Sequence, residues 1–257
     1  LRAYSNRLTE LPEEIGELSS LLYLSLSSNK LTHLPKSFDQ LSNLEELEID
    51  LNPWKVFPIV LRELPRLSTL SIYNLPELAK EIADFPFKDI AALRSLKGWN
   101  VDMDRIPPSL FECSLESLIL KGTQASNLPQ QIPQWSEMTS LALEGAGLKS
   151  FPDFVLEASG LTWLNLSDNS MAGIPDEIGN LTAIKTLYLG GNPIKKLPET
   201  IGNLKELEYL DLSNTELEEL PKELAHLPKL RRICIYRTAD GEKMLADLRK
   251  IAPVAKF

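Results

Sequence analysis

Few side chains in this sequence could carry covalent or metal chemistry. The two cysteines, Cys113 and Cys234, lie far apart in the sequence and could form at most one bridge, and the chain has no CxxC pair. With His33 and His226 as the two histidines, a histidine-rich metal site is excluded and a catalytic triad has few ways to form. The residue types therefore predict no catalysis by the chain itself and indicate no cofactor.

Three acidic residues, Glu46, Glu48 and Asp50, occupy alternate positions and could in principle attract a cation. No further oxygen ligands accompany them, and a solvated acidic face is the more common role of such a cluster, so we predict no metal site. They could equally pair with a basic region of a partner and set its register. The segment 145–150 superficially resembles a phosphate-binding loop, but Leu148 interrupts the Gly-Lys pair, and we reject that interpretation.

The composition is that of a globular chain with an acidic balance. Hydrophobic residues make up 43% of the 257 residues, and 27 basic side chains stand against 36 acidic ones, a net charge of -9. A general nucleic-acid binder needs basic residues in excess, so we expect no nucleic-acid partner. No apolar run approaches the roughly 18 residues of a membrane span, and we expect none. Because the sequence opens within its pattern at Leu1, we expect a fragment or a mature piece.

A regular repeat organises nearly the whole sequence. The run 21–35 aligns with the run 161–175 so that every apolar position coincides. Ten full repeats begin at Leu21, Leu44, Leu67, Leu93, Leu115, Met138, Leu161, Ile184, Leu207 and Leu230. The spacing is 23 residues except for one step of 26 and one of 22, and a partial repeat comes first. We predict an array of about eleven repeats over residues 1–237, irregular at 67–114.

Each repeat follows the pattern LxxLxLxxNxLxxLPxxIxxLxx. The LxL core alternates with period two and predicts a short strand, whereas the later apolar residues recur every three to four positions and predict a helical or 3-10 turn. One repeat cannot bury its leucines alone, so neighbours must stack around a continuous core. We therefore predict an α/β solenoid, a curved horseshoe with a parallel sheet on the concave face and short turns on the convex side.

The ninth position of the repeat predicts a ladder of buried amides. Backbone groups turned inward after each strand need hydrogen-bond partners, and an amide side chain offers donors and an acceptor together. The position holds Asn6, Asn29, Asn52, Asn169 and Asn192, with Thr123, Thr215 and Thr238 as hydroxyl substitutes. Leu75, Val101 and Ala146 cannot bond there, so we expect irregular or hydrated backbone at those three repeats.

Two segments depart from the repeat. The residues from Pro76 to Asp84 predict a short helix within the repeat that is three residues too long, which is either simple drift or part of a binding surface. At the end, residues 238–257 predict a capping helix over the last repeat. Asp240 would cap its start, Pro253 would end it, and its apolar residues are Met244, Leu245, Leu248 and Ile251.

On this repeat pattern and its ninth-position asparagines, the sequence resembles the leucine-rich repeat proteins. The 23-residue form with LPxxIGxL is similar to bacterial members, including some secreted effectors, and to intracellular plant and animal proteins of the Ras-associated type. The resemblance covers residues 1 to about 238. It implies a curved solenoid whose concave face usually binds another macromolecule, while the fold itself serves many roles.

If the strand leucines point inward, the third, fifth, seventh and eighth repeat positions form the concave face. Aromatic and charged side chains gather there, and exposed Trp and Tyr on a rigid sheet commonly anchor interfaces, although aromatics also suit strands for packing alone. The candidate partner-binding residues are Tyr23, Glu46, Glu48, Asp50, Tyr73, Trp99, Lys121, Glu144, Trp163, Tyr188, Tyr209 and Asp211. By contrast, Trp54, Trp135 and Cys113 fall on core positions.

These observations predict an interaction module that binds a protein or peptide on its concave face and is a monomer. One alternative is the substrate-recognition part of a larger effector-type enzyme whose catalytic domain lies outside this chain. Another is recognition of a small ligand or carbohydrate by the aromatic side chains. Without paired cysteine caps, a cytoplasmic protein or a secreted bacterial effector is expected rather than an extracellular receptor of the animal type.

Overall fold

A computed structural model of the chain describes residues 1–238 and 241–251. They belong to two compact units, Leu1–Asn127 and Leu128–Phe257. In both units each full repeat contributes one short strand, which begins at the third residue of the repeat pattern. The strand that the LxL core predicts is thus confirmed in every full repeat.

The first unit contains five parallel strands in chain order. Neighbouring strands pair so that like repeat positions face each other, for example Tyr23 with Glu46 and Glu46 with Thr69. The strands are β1 (Tyr23–Ser25), β2 (Glu46–Glu48), β3 (Thr69–Ser71), β4 (Ser95–Trp99) and β5 (Ser117–Lys121). The uniform offset follows from the repeat itself, because a strand that slipped by one residue would turn its leucines to the solvent.

The second unit repeats this arrangement. Its strands are also parallel and consecutive, and the register again matches position to position, as in the pairing of Trp163 with Thr186 and of Thr186 with Tyr209. The strands are β6 (Ser140–Glu144), β7 (Trp163–Asn165), β8 (Thr186–Tyr188), β9 (Tyr209–Asp211) and β10 (Arg232–Cys234).

Short 3-10 helices occupy the other side of the repeats, as the spacing of the later apolar residues predicts. Most of them follow directly after the proline of the LP step, whose fixed φ and missing N–H suit the start of a helical turn. In the first unit they are Glu13–Glu17, Lys36–Gln40, Ile59–Glu63, Pro76–Leu78, Phe87–Asp89 and Pro108–Glu112. In the second unit they are Pro133–Trp135, Asp153–Glu157, Asp176–Asn180, Glu199–Asn203 and Lys222–His226.

Among the described residues, two α-helices interrupt this pattern. Helix α1 (Ala79–Asp84) continues the 3-10 helix Pro76–Leu78, so the helix predicted for the long repeat is confirmed. Helix α2 (Gly241–Ile251) follows the last strand and lies against the 3-10 helix Lys222–His226, with Met244 buried. The predicted cap Asp240 and stop Pro253 lie outside the described residues, and the division into an array and a capping helix stays a prediction.

The core of each unit is a stack of leucines and other apolar side chains. Leu24 and Leu26 of the first full repeat are fully buried, and so are Leu187 and Leu189 of the eighth. The prediction that Trp54, Trp135 and Cys113 are packing residues is confirmed, since all three are buried. Burial raises the pKa of the Cys113 thiol to about 11, which makes it a poor nucleophile.

The buried amides bond as the ladder prediction requires. The amide nitrogen of Asn192 donates to the carbonyls of Leu166, Leu189 and Gly190, and its oxygen accepts from the backbone N–H of Met171. Asn29, Asn52 and Asn169 make equivalent sets. The prediction of a buried amide is wrong for Asn6, which is exposed and donates to the carbonyls of Ala3 and Tyr4. The Thr215 hydroxyl donates to the carbonyl of Leu212.

The ladder is incomplete in the middle repeats. The Thr123 hydroxyl, predicted to substitute for the amide, is buried and has no hydrogen-bond partner among the described residues. Where Leu75 and Val101 replace the amide, the preceding residues Asn74 and Asn100 bond to each other through their side chains. The Asn169 oxygen accepts from the N–H groups of both Ala146 and Leu148, so the backbone at Ala146 is satisfied by the next repeat.

The eighth position of every full repeat adopts a left-handed backbone conformation, which the sequence pattern did not reveal. The residue types there differ widely, from glycine to arginine, so the requirement belongs to the turn rather than to any side chain. The residues are Ser28, Leu51, Asn74, Asn100, Gly122, Gly145, Asp168, Gly191, Asn214 and Arg237, with φ between 52° and 75°.

Candidate functional site

The third, fifth and seventh repeat positions point to one side of each sheet, which we call the strand face. Strand residues alternate between two sides, so leucines at the fourth and sixth positions face the core while the third, fifth and seventh positions face away from it. Eleven of the twelve candidate residues are exposed or half-buried there: Tyr23, Glu46, Glu48, Tyr73, Trp99, Lys121, Glu144, Trp163, Tyr188, Tyr209 and Asp211. The twelfth, Asp50, is buried.

Trp163, Tyr188 and Tyr209 form an aromatic cluster on the strand face of the second unit. The rings of Trp163 and Tyr188 meet edge to face with centroids 5.9 Å apart, and those of Tyr188 and Tyr209 lie 5.0 Å apart at 45°. Because Trp163 and Tyr209 occupy third positions and Tyr188 a fifth position between them, the rings alternate across three adjacent strands. All three side chains are half-buried, so the cluster presents an apolar surface that is already ordered.

Polar groups fix the edges of this cluster. The Asn165 amide donates to the Glu144 carboxylate at 3.1 Å, and Asp211 accepts from the backbone N–H of Ser213 at 2.9 Å. The hydroxyl of Tyr209 lies 3.4 Å from the Cys234 sulfur, and this hydrogen bond, together with burial, raises the pKa of Tyr209. Tyr209 therefore stays a neutral phenol over the physiological pH range.

The first unit carries a smaller aromatic pair. Tyr73 and Trp99 meet edge to face with centroids 6.3 Å apart, and the Lys121 ammonium lies 4.5 Å from the centre of the Trp99 ring. Trp99 is 52% exposed, whereas burial raises the pKa of the half-buried Tyr73. The pair thus offers a mixed apolar and cationic surface.

Next to this pair lies a pocket of about 400 Å³, which we call the acidic pocket. Glu46, Glu48 and Asp50 of the second repeat line it, and Lys97 contributes a basic side chain. Small hydroxyl residues from the neighbouring strands, Ser25 and Ser71 among them, form its floor. The repeat pattern predicted the positions of these residues but not the pocket. The pocket forms because small side chains on some strands lie beside larger ones on the neighbouring strands.

Asp50 differs from the other candidate residues because its carboxylate is used within the protein. It accepts hydrogen bonds from the hydroxyls of Ser27 and Ser71 at 3.0 and 2.8 Å and from the Tyr73 backbone N–H at 2.6 Å. Burial raises the pKa of Asp50, and these hydrogen bonds oppose that rise. Asp50 supports the pocket from beneath, because its buried carboxyl group bonds within the protein rather than facing a partner.

The described residues contain no group of three or more His, Cys, Asp or Glu side chains arranged to hold a metal ion. Both cysteines are free thiols. Within the same described ranges, no helix is long and apolar enough to cross a bilayer.

Comparison with known proteins agrees with the repeat and the fold. Models of the leucine-rich repeat match residues 4–53 and 136–194, and a model of the leucine-rich repeat region matches residues 176–255. No curated protein matches the sequence significantly.

Solved structures resemble the chain over nearly its full length. A leucine-rich repeat protein of Leptospira interrogans is 29% identical with a TM-score of 0.66, and the match covers 98% of this chain and 81% of that one. The ectodomain of the Arabidopsis thaliana receptor kinase GASSHO1/SCHENGEN3, solved in complex with CASPARIAN STRIP INTEGRITY FACTOR 2, is also 29% identical with a TM-score of 0.69.

The match to the plant ectodomain covers 93% of this chain but only 30% of that chain. The Drosophila Toll–Spatzle complex, at 20% identity and a TM-score of 0.67, shares the fold, and its match covers 93% of this chain and 34% of that one. The repeat period, the parallel strands with their 3-10 turns, the buried amides and these matches together establish that the chain is a leucine-rich repeat protein.

Proposed function

We propose that this chain is a protein–protein interaction module that binds a protein or peptide partner on its strand face and has no turnover of its own. Leucine-rich repeats typically mediate such interactions. The observation that carries the proposal for this chain is the aromatic cluster of Trp163, Tyr188 and Tyr209, whose rings contact one another while remaining half-exposed.

The composition of the cluster suits an interface anchor. Tyrosine and tryptophan are enriched among the residues that contribute most to binding, because they bury a large area and lose little conformational freedom. Here each ring is already held by its neighbour, so a partner would order few additional torsions on binding. The charged groups of Glu144 and Asp211 lie beside the rings and could orient a partner.

The backbone beneath the cluster is well fixed. Strands β7, β8 and β9 are paired on both sides, and the amides of Asn169 and Asn192 hold the turns that follow β7 and β8. A surface built on paired strands binds with less reorganisation than one built on loops. The complex of the plant receptor ectodomain, which shares 29% identity, is an example of partner binding by a related repeat array.

The test is partner capture by immobilised wild-type chain and by the double variant Trp163→Ala/Tyr209→Ala. Lysate proteins that the wild-type chain retains should be recovered at least tenfold less by the double variant, since loss of two anchors typically costs several kcal/mol of binding. The thermal midpoint should change little, because both side chains are half-exposed.

Ile59→Ala supplies the matched control. Ile59 is 57% exposed and begins a 3-10 helix on the other side of its repeat, so this variant also removes exposed apolar surface but leaves the strand face intact. It should capture partners like the wild-type chain. Equal recovery by the double variant and the wild-type chain would exclude the aromatic cluster as the binding site.

A further inference from the structure

The acidic pocket of the first unit carries negative charge that the protein does not neutralise. Glu46 is exposed and Glu48 is half-buried, and within residues 1–238 and 241–251 neither carboxylate forms an ion pair. Asp50 lies beneath them, where its buried carboxyl group accepts hydrogen bonds from Ser27, Ser71 and the Tyr73 backbone. Lys97 is the basic side chain in the lining, so the pocket keeps a negative excess.

A buried hydroxyl without a partner faces the same pocket. Ser25 lies in register with Glu48 and Ser71, so its side chain points to the strand face, and it lines the pocket. Ser25 is 0% exposed, and its hydroxyl makes no hydrogen bond within the described residues. Burial raises the pKa of Tyr23, and the nearby Ser25 and Glu48 side chains also act on it. The Ser25 hydroxyl nevertheless does not reach hydrogen-bond geometry with the Tyr23 hydroxyl.

An unsatisfied buried hydroxyl is costly, so a hydroxyl that lines a pocket favours an occupant that can bond to it. A hydroxyl oxygen and two carboxylates all accept hydrogen bonds. The group that complements them is a cation that donates several N–H bonds. Tyr4 and Tyr73 line the same pocket and add aromatic surface, which also favours a cation.

We propose that the acidic pocket receives a lysine or arginine side chain of the protein partner, with Glu46 and Glu48 pairing with its charge and Ser25 accepting one of its N–H bonds. This assignment rests on the proposed function as an interaction module, and it specifies the chemistry of one partner residue. A divalent metal is the competing occupant, and the described carboxylates are not arranged to hold one.

The test titrates the full chain with acetyl-arginine methylamide and with acetyl-lysine methylamide, observed by amide NMR. At least one of them should give saturable shifts concentrated at residues 25, 27, 48 and 71, and added salt should weaken them. Acetyl-citrulline methylamide, which has a similar shape and no charge, should give none. Calcium chloride at the same concentration should give none either.

Two variants test the roles of the side chains. Glu48→Gln should weaken binding of the cationic probe about tenfold, whereas Glu45→Gln, an exposed carboxylate of the same repeat outside the pocket, should leave it unchanged. Ser25→Ala should weaken binding severalfold while the thermal midpoint stays the same or rises, because the variant removes an unsatisfied group.

The absence of saturable shifts with both cationic probes, equal shifts with citrulline, or saturation by calcium would each overturn the proposal. These readouts do not depend on the partner. The titration can therefore disprove cation binding by the acidic pocket while the aromatic cluster still captures proteins. Conversely, if the capture experiment fails, the titration result still stands.

Discussion

The side-chain oxygen of Asn192 accepts a hydrogen bond at 3.1 Å from the backbone N–H of Met171, one repeat earlier in the chain. The same side chain donates to carbonyls of its own repeat and of the preceding one, so a single amide ties two turns together. Each link of this kind stabilises the stacking of neighbouring repeats rather than the fold of one repeat.

Replacing Asn192 by alanine should therefore destabilise the protein strongly. Asn192 is 1% exposed, and its loss leaves several buried backbone groups without partners, for an expected cost of about 3 kcal/mol in the free energy of unfolding. Urea unfolding followed by circular dichroism measures this cost. Asn6→Ala, which removes an exposed amide at the same repeat position, should cost well under about 1 kcal/mol. Similar costs for the two variants would contradict the ladder.

Replacing Leu51 by asparagine should stabilise the protein. Leu51 has φ of 52° and is 47% exposed, and within the described ranges it is the one aliphatic residue with a positive φ. A leucine in the left-handed backbone conformation is strained by about 1 kcal/mol. Asparagine tolerates this conformation, so the substitution should relieve the strain. The thermal midpoint should rise by a few degrees. Leu22→Asn, at an exposed leucine without a positive φ, should not raise it.

Replacing Gly179 by alanine should destabilise the contact between two neighbouring 3-10 helices. A Cβ at this position would lie 2.8 Å from both the Cβ and the carbonyl oxygen of Thr200, which is closer than real side chains pack. The expected cost is about 1–3 kcal/mol in the free energy of unfolding. Gly173→Ala is the matched control, because its Cβ would have no atom within 4 Å and its φ is not positive. Equal urea midpoints for the two variants would show that the close approach is unimportant.

The raised pKa of Asp50 predicts a pH-dependent difference between the wild-type chain and Asp50→Asn. Burial raises the pKa above its ordinary value of 3.8, so the folded state favours the protonated acid, and ionisation destabilises the fold. The stabilising contribution of Asp50 to the free energy of unfolding is therefore fully present below pH 3.8. It declines as the pH rises through the pKa that Asp50 has in the folded state. The stability of the asparagine variant relative to wild type should therefore increase as the pH rises through and above 3.8 and then level off.

Urea titrations at a series of pH values measure that difference. Asparagine can still accept from the Tyr73 N–H and donate to the hydroxyl of Ser27 or Ser71, so the variant keeps the local geometry. A relative stability of the variant that decreases with pH would contradict the assigned direction.

The repeat pattern predicted the regular parts of the structure because one physical requirement governs each position. Leu24 and Leu26 must be buried, Asn29 must satisfy inward backbone groups, and Pro35 precedes a 3-10 helix, so these outcomes were readable from residue types. The aromatic cluster was also predictable from the third and fifth positions, since the register places Trp163, Tyr188 and Tyr209 on adjacent strands.

Other features depend on neighbours rather than on position. Asp50 occupies a seventh position like the exposed Trp99, yet it is buried because Ser27 and Ser71 on both flanking repeats are small and donate to it. The left-handed eighth position was invisible in the sequence, because leucine, arginine and glycine all occupy it. Thr123 shows the converse, since its hydroxyl has suitable chemistry but finds no hydrogen-bond partner in the part of the chain that the structure describes.

The constant register between consecutive strands also bears on how the chain folds. Each strand of the described residues pairs with partners about one repeat away in the sequence, so the sheet joins segments that lie close together along the chain. A nucleus formed at any pair of repeats can grow in both directions by adding one coil at a time. Duplication or loss of a whole coil keeps this register among the remaining strands, so an array of this kind tolerates changes in its number of coils.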